Sequence, residues 1–213
     1  MLRSLNEVYS ELRKAALGAG FPTGHAEDIA HSGAALIALG EDGAGAVLQA
    51  LNSGYVNSPE VPVFDSVIDH LDVAHCGTTL LEWLTVPSSP KSAEITQLDN
   101  PLLLFGMLLH CSRCHDREFM LTLSDGTSFH ASAEWQRGEL DRLLENASTV
   151  QLSVMPPGTG SQSVVARQSK EQGQGVEINE ALWPQIKAMS AKTYVPATEQ
   201  SRMGAGASIN DSE

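Results

Sequence analysis

Two cysteines and a histidine form the most explicit chemical motif in the sequence. Cys111-Ser-Arg-Cys114-His115 has the C-x-x-C-H spacing in which both thiols attach haem and the histidine binds iron. Haem attachment of this kind requires export, whereas the first residues of the chain lead into an amphipathic helix pattern rather than the apolar core of an export signal. We therefore predict that these thiols carry no haem.

The same run also suggests a zinc site, with His110 beside the motif and with His75 and Cys76 as a second pair of ligands. Structural zinc sites usually draw on two well-separated pairs, and four ligands between residues 110 and 115 are cramped. We predict no metal site, and we expect the three cysteines to be free, partly buried thiols.

The C-terminal tail offers a different chemistry. Glycines let backbone N–H groups converge, and an arginine guanidinium matches a carboxylate or a phosphate. We predict a ligand-binding loop for a small anionic metabolite or a partner's carboxylate; the alternative is a frayed terminus, which small polar residues also indicate. The candidate ligand-binding residues are Tyr194, Ser201, Arg202, Gly204 and Gly206.

The other reactive residues do not fall into a recognisable catalytic motif. Seven histidines are present, but the sequence contains no G-x-S-x-G, H-E-x-x-H or phosphate-binding loop pattern. Gly204-x-Gly206 lacks the third glycine of a dinucleotide fingerprint, so no cofactor is predicted. The acidic pairs Glu27-Asp28 and Glu41-Asp42 are interpreted as charges at or near helix starts, where they favour the helix dipole. Catalytic residues remain unidentified, and whether the protein is an enzyme stays open.

Charge and composition restrict the partners. The 213 residues include 13 Lys and Arg against 26 Asp and Glu, which gives a net charge of −13. This sign disfavours nucleic acids and anionic membrane surfaces. The longest apolar run, Pro101 to Leu109, is about half of the ~20 residues that a spanning helix needs. We expect an acidic, soluble, cytoplasmic protein with reduced thiols, and a homo-oligomer remains open.

The N-terminal elements that must position any site are helical. Ser4 and Glu7 have the form of a capping box ahead of an apolar stripe. A second helix is expected to end at Gly40, and Gly33 on its apolar face would permit close approach of another helix. Residues 4 to 52 are therefore predicted to form a three-helix unit.

The middle of the chain mixes patterns. We predict short helices over Phe64–Leu71 and Thr78–Leu84, whereas Pro101–Leu109 fits a buried strand or a buried helix. A hairpin is predicted over Glu118–Ala131, with Asp125-Gly126 in a type I′ turn.

The last elements complete an α+β order. Val150–Met155 alternates as a strand does and could pair with Val164–Ala166, and Asn179 is predicted to cap the last helix. The predicted fold is α+β, with an N-terminal three-helix unit, a small antiparallel sheet with a hairpin, a C-terminal helix and a Gly-rich tail. We divide it into a helical unit (1–55) and an α+β body with the tail (56–213), which together form one compact domain.

Several segments resemble an uncharacterised bacterial family, domain of unknown function 3726. They are Ser4-Leu-Asn-Glu7, the run from Arg13 through Gly20-Phe-Pro22 to Glu27, and the tail from Thr193-Tyr-Val-Pro to Gly-Ala-Gly-Ala. The resemblance spans nearly the whole chain and supplies no activity. The N-terminal helices also resemble the opening arm of the malate/L-lactate/sulfolactate dehydrogenase type 2 family, whose cofactor-binding sequence is not recognisable here.

Three function classes remain open. The first is a binding or accessory module that takes a small anion at the tail. The second is a metabolic enzyme that acts on a small carboxylate-containing substrate, with tail residues beside a histidine or a carboxylate from the helical unit. The third is a structural protein with no small-molecule site.

Overall fold

The fold is α+β, as predicted. A computed structural model describes residues 1–55, 64–115, 117–131, 140, 149–155 and 175–193. Its helices are α1 (Leu5–Gly18), α2 (Thr23–Ala38), α3 (Gly43–Asn52), α4 (Val73–Thr85), α5 (Pro101–His115) and α6 (Trp183–Ser190). Its strands are β1 (Leu2–Arg3), β2 (Val67–Ile68), β3 (Ser92–Ile95), β4 (Glu118–Leu123), β5 (Ser128–His130), β6 (Val150–Met155) and β7 (Val176–Glu177).

Helix α1 begins where its cap predicts. The Ser4 hydroxyl accepts a hydrogen bond from the Glu7 backbone N–H at 3.1 Å. Only half of the predicted capping box forms, because the Glu7 carboxylate accepts a hydrogen bond from Arg3 at 2.9 Å instead. The apolar stripe of α1 is buried, and Glu11 is buried with it.

Helices α2 and α3 cross at two glycines. A Cβ atom built on Gly33 would lie 2.5 Å from Cγ2 of Val47, and one on Gly43 would lie 2.2 Å from the Gly33 carbonyl oxygen. The predicted close approach at Gly33 is therefore confirmed. Gly40 follows the end of α2 with a φ of 81°, and the Asp42 carboxylate caps α3 by accepting from the Gly45 N–H at 2.9 Å.

The apolar run that starts at Pro101 is a helix rather than a strand. Asn100 lies just before it, and its side-chain oxygen accepts from the Leu103 N–H at 3.1 Å. Proline at the first helical position sacrifices no helical hydrogen bond. The Asn100 amide also donates to the Ala46 carbonyl at 2.8 Å, which fixes the start of α5 against α3.

The larger sheet has five strands in the order β2-β3-β6-β4-β5. It is mixed rather than purely antiparallel, because β2 pairs with β3 in parallel. The predicted helix over Phe64–Leu71 is therefore wrong: Val67 and Ile68 pair with Glu94 and Ile95. Strand β6 lies between β3 and β4, and the proposed partner segment Val164–Ala166 lies outside the described residues.

The predicted hairpin is confirmed, but its turn is of another type. Leu123 donates to the Thr127 carbonyl, and Gly126 donates to the Leu123 carbonyl. These bonds enclose a three-residue loop with Gly126 at a φ of 84°, not a two-residue type I′ turn.

The C-terminal elements return to the N-terminal helix. Strand β7 pairs antiparallel with β1, and α6 packs against α1. The last helix begins at Trp183 rather than directly after Asn179, whose side chain instead accepts from the Ala181 N–H in the preceding turn. The close approach of α6 is set at Gly18, where a Cβ atom would lie 2.0 Å from the Met189 carbonyl oxygen.

One hydrophobic cluster contains residues from α1 to α5, the larger sheet and α6. The domain division at residue 55 remains a prediction. Among the described residues, no helix has both the length and the apolar character needed to cross a membrane.

Candidate functional site

A cavity of about 140 Å³ lies between α2, α4 and α5. Each helix contributes a polar pair, and the apolar part of the wall comes from α4 and α5. The lining residues are Asp28 and Ser32 of α2, Thr78, Leu81 and Glu82 of α4, and Met107, His110, Cys111 and Cys114 of α5.

Two glycines bring these helices close together. A Cβ atom on Gly106 would lie 2.7 Å from the Ser32 carbonyl oxygen, so α5 touches the backbone of α2. A Cβ atom on Gly77 would lie 2.6 Å from Sδ of Met107, so α4 also approaches α5 closely. His110 is one turn beyond Gly106, and this contact positions its side chain against α2.

The His110 imidazole is held by stacking. Its ring lies parallel to that of His31, with centroids 4.3 Å apart and an interplanar angle of 5°. Tyr9 covers His31 at a centroid distance of 4.3 Å. Burial lowers the pKa of His31, although Asp28 and Glu27 oppose this effect. A column of three rings from α1, α2 and α5 therefore stands beside the cavity.

Asp28 is the electrostatically unusual group of the cavity. Burial raises the pKa of Asp28 above its ordinary value, and the nearby Glu82 adds to the increase. A hydrogen bond from the Thr78 side chain and the proximity of His25 and His31 act in the opposite direction. The ionised carboxylate is thus less well compensated than one on the protein surface.

Ser32 contributes little free hydrogen-bonding capacity. Its side chain is fully buried, and its hydroxyl donates to the Asp28 carbonyl oxygen at 2.6 Å, one turn earlier in α2. The ionisable groups that line the cavity are two carboxylates, one imidazole and two thiols.

The two thiols of the cavity differ strongly. Cys111 is partly buried, and its burial, assisted by the neighbouring Cys114 and Glu82, raises its pKa to about 12. Cys114 is exposed, with Sγ 3.7 Å from Nε2 of His110. The C-x-x-C motif therefore places one protected and one accessible thiol on the last turns of α5.

No group of three or more His, Cys, Asp or Glu side chains within the described parts of the chain is arranged to hold a metal ion. His75 and Cys76, the second pair of ligands that the sequence suggested for zinc, lie in the first turn of α4. The side chain of His115 lies outside the described residues. The absence of zinc and haem stays a prediction, which elemental analysis and absorption spectroscopy would test.

A second cluster of side chains, around His75, is structural rather than catalytic. His75 Nδ1 lies 2.8 Å from Asp72 Oδ2, and the Asp72 carboxylate also accepts from the His75 backbone N–H, capping α4. The ring packs against Phe21 and Tyr55, each with its centroid 5.2 Å away, and its side chain is 1% exposed. Since solvent barely reaches this imidazole, we assign it to packing.

An open groove of about 650 Å³ lies between residues 37–42 and 175–179. Its side-chain donors and acceptors are partly committed, since Asp42 caps α3. The smaller cavity has the more distinctive chemistry, because it combines an imidazole, two thiols and a carboxyl group with a raised pKa.

The predicted ligand-binding residues of the tail, Tyr194, Ser201, Arg202, Gly204 and Gly206, all lie outside the described residues. The structure describes the chain to Thr193, which ends a short 3₁₀ helix after α6. The anion-binding loop therefore remains a prediction.

The cavity residues were not identified as a site from the sequence. Glu27 and Asp28 do not lie in the first turn of α2: Glu27 forms an ion pair with Arg13 at 2.9 Å, and Asp28 lines the cavity. Both lie one turn inside α2, where the effect of the helix dipole is weaker, so their interpretation as dipole charges stays a prediction. A shared spacing could have revealed the cavity, because all three helices present polar residues four apart: Asp28 with Ser32, Thr78 with Glu82, and His110 with Cys114.

Comparison with known families supports part of the predicted resemblance. Residues 3–75 match the family described as Protein of unknown function (DUF3726). The match covers α1 to α3, β2 and the first residues of α4, whereas the predicted resemblance of the tail lies beyond it. Comparisons with curated proteins and with solved structures gave no match. The resemblance to the dehydrogenase family stays a prediction.

Proposed function

We propose that the protein binds a small molecule with an ammonium group and a short apolar portion in the cavity between α2, α4 and α5. The observation that carries the proposal is the position of Asp28, which lines the cavity and whose burial raises its pKa. A bound cation would offset the desolvation of this carboxylate, and Glu82 would add to the attraction. An anion would meet the same two charges unfavourably.

The size of the cavity supports a ligand of about six non-hydrogen atoms, because an engineered cavity of about 150 Å³ in another protein holds benzene. Leu81 and Met107 supply an apolar wall for the alkyl part of such a ligand. His110 lies on the same wall as a further hydrogen-bonding group.

Three compounds with a common alkyl group test this proposal: isobutylamine, isobutanol and isobutyrate. We expect a Kd for isobutylamine of about 1 mM, or about −4 kcal/mol. At 100 mM amine, binding should stabilise the native state by about 2.7 kcal/mol. For a domain of this size that corresponds to a rise of roughly 5–10 °C in Tm. Isobutanol should bind more weakly, and isobutyrate should give no rise beyond that of sodium chloride at equal ionic strength.

The decisive variant is Asp28→Asn, which keeps the shape of the side chain and removes its charge. We expect it to abolish the amine-dependent rise in Tm. Glu94→Gln removes one charge from an exposed position of β3 and should leave the rise unchanged. An unchanged response in Asp28→Asn, or a stronger response to isobutyrate than to isobutylamine, would refute the proposal.

We propose the cytoplasm as the protein's location. Free thiols support this assignment, since all three cysteines are unpaired in the structure.

A further inference from the structure

The three cysteines occupy three different environments. Cys76 is buried in α4, and burial together with the nearby Asp72 and Asp99 raises its pKa. Cys111 is partly buried and has a pKa of about 12. Cys114 is exposed on the last turn of α5. Because the thiolate is the nucleophile, burial disfavours reaction at the first two positions.

Cys114 also has a proton acceptor within reach. Its Sγ lies 3.7 Å from Nε2 and 4.0 Å from Nδ1 of His110, one helical turn earlier. The His31 ring, parallel to His110 at 4.3 Å, restricts how far that imidazole can turn away.

We propose that Cys114 is a thiol–disulfide exchange site for small-molecule disulfides, with His110 as its proton acceptor and Cys111 as a bystander. The Cys114 thiol transfers its proton to His110, and the thiolate sulfur attacks one sulfur of the disulfide RSSR. That S–S bond breaks as the Cys114–S–S–R bond forms. The leaving thiolate takes the proton from the imidazolium, so the products are one mixed disulfide and one RSH. Excess RSH reverses the reaction.

The pair is open to the cavity as well as to solvent, since both Cys114 and His110 line it. The proposal depends on the geometry of these two residues and not on the ligand proposed above. Amine binding and thiol exchange are therefore separable observations: either one can fail while the other holds.

The test uses 4,4′-dithiodipyridine with the folded, reduced protein, following the release of 4-thiopyridone by absorbance. One equivalent should be released rapidly, and peptide mass spectrometry should locate the adduct on Cys114. Cys114→Ser should lose the rapid phase, whereas Cys111→Ser should retain it. Unfolded protein should react at all three thiols.

Two variants of His110 test its role. His110→Phe keeps a ring to stack on His31, and His110→Gln keeps a polar side chain; both lack the imidazole. Each should slow the rapid phase by at least about tenfold, since a positioned base typically contributes 10²–10⁴-fold. His130→Gln, in β5, is the matched control and should react at the normal rate.

Three results would overturn the proposal. The first is a rapid adduct on Cys76 or Cys111. The second is a normal rate in both folded His110 variants. The third is release of two equivalents with a Cys111–Cys114 disulfide, because Cys111 would then take part in the reaction. A rapid phase that reports on Cys114 and depends on His110 would support it.

Discussion

The Ser190 hydroxyl donates a hydrogen bond of 3.0 Å to the Glu11 carboxylate, although 179 positions separate the two residues. The contact joins the last helix to the first. Lys187 and Lys14 lie 3.2 and 3.5 Å from the other carboxylate oxygen. Burial alone would raise the pKa of Glu11, but the hydrogen bonds and lysine charges outweigh it, and the pKa is lowered.

We therefore predict that Glu11→Gln destabilises the protein. The loss at neutral pH should be about 1–3 kcal/mol, because a hydrogen-bonded charge is removed from a buried position. A carboxylate with a lowered pKa contributes stability above its unfolded pKa and loses it as the pH falls through its folded pKa. The difference between the two proteins in urea unfolding should accordingly shrink as the pH falls below 4.5.

Glu7→Gln is the control on the same helix. Glu7 pairs with Arg3 at a half-exposed position, and such pairs contribute about 0.3–0.5 kcal/mol. Equal losses for the two variants would show that the Glu11 contact adds nothing beyond a surface ion pair.

The close crossing of α2 and α3 predicts that substituting two glycines of α2 changes stability in opposite directions. Gly33→Ala places a methyl group 2.5 Å from Cγ2 of Val47 and 2.9 Å from Cδ1 of Leu12, so the free energy of unfolding should fall by about 1–3 kcal/mol. A Cβ atom on Gly24 meets nothing within 4 Å, and Gly24→Ala should raise that free energy by up to about 1 kcal/mol. Denaturant titrations of both variants measure the contrast; similar values would mean that the helices cross elsewhere.

The raised pKa of Asp28 predicts that its contribution to stability depends on pH with the opposite sign to that of Glu11. A carboxyl group whose folded pKa is raised binds protons more tightly in the native state, so stability falls as the pH rises from the ordinary value of 3.8 through the folded pKa. Asp28→Asn should therefore gain stability relative to the natural protein as the pH rises above the ordinary pKa of 3.8. Unfolding curves at several pH values provide the measurement, with Asp69→Asn at an exposed position as the control. A difference that decreases with rising pH would contradict the assignment.

The predicted anion-binding loop of the tail should make the protein's thermal stability respond to small anions. If Arg202 and the backbone around Gly204 bind a small anion, a carboxylate or a phosphate ester at a hundredfold excess over Kd should raise Tm by roughly 5–10 °C. Arg202→Ala should remove this rise without unfolding the protein. Truncation after Pro196 that leaves Tm and every anion response unchanged would rule the tail out.

Sequence patterns predicted the individual helices and strands better than the pairing between them. The Ser4 cap, the Gly40 stop and the Gly33 crossing depend on local geometry, and each was predictable from neighbouring residues. Strand β2 was not, because two residues become a strand only through pairing with β3. The turn of the hairpin differed because hydrogen bonds across the loop, rather than the Asp-Gly pair alone, select the loop length.

The cavity was harder to predict because its residues come from three helices, and its first and last lining residues, Asp28 and Cys114, are 86 positions apart in the sequence. Asp28 alone is an ordinary helix acid, and Cys114 alone is an exposed thiol. They share a site only because Gly106 brings α5 against the backbone of α2 at Ser32. Helix periodicity shows which residues share one face, but it does not show which faces meet.

The most direct test of the central claim is whether an amine enters this cavity. Met107 lines it and is 3% exposed, so its methyl group reports on occupancy at a position that solvent rarely reaches. In protein labelled with ¹³C at the methionine methyl groups, Met107→Leu identifies the signal. Titration with isobutylamine should move the Met107 signal in a saturable manner in the natural protein and leave it in place in Asp28→Asn. A Met107 signal that does not move in the natural protein, or moves equally in both, would contradict the account.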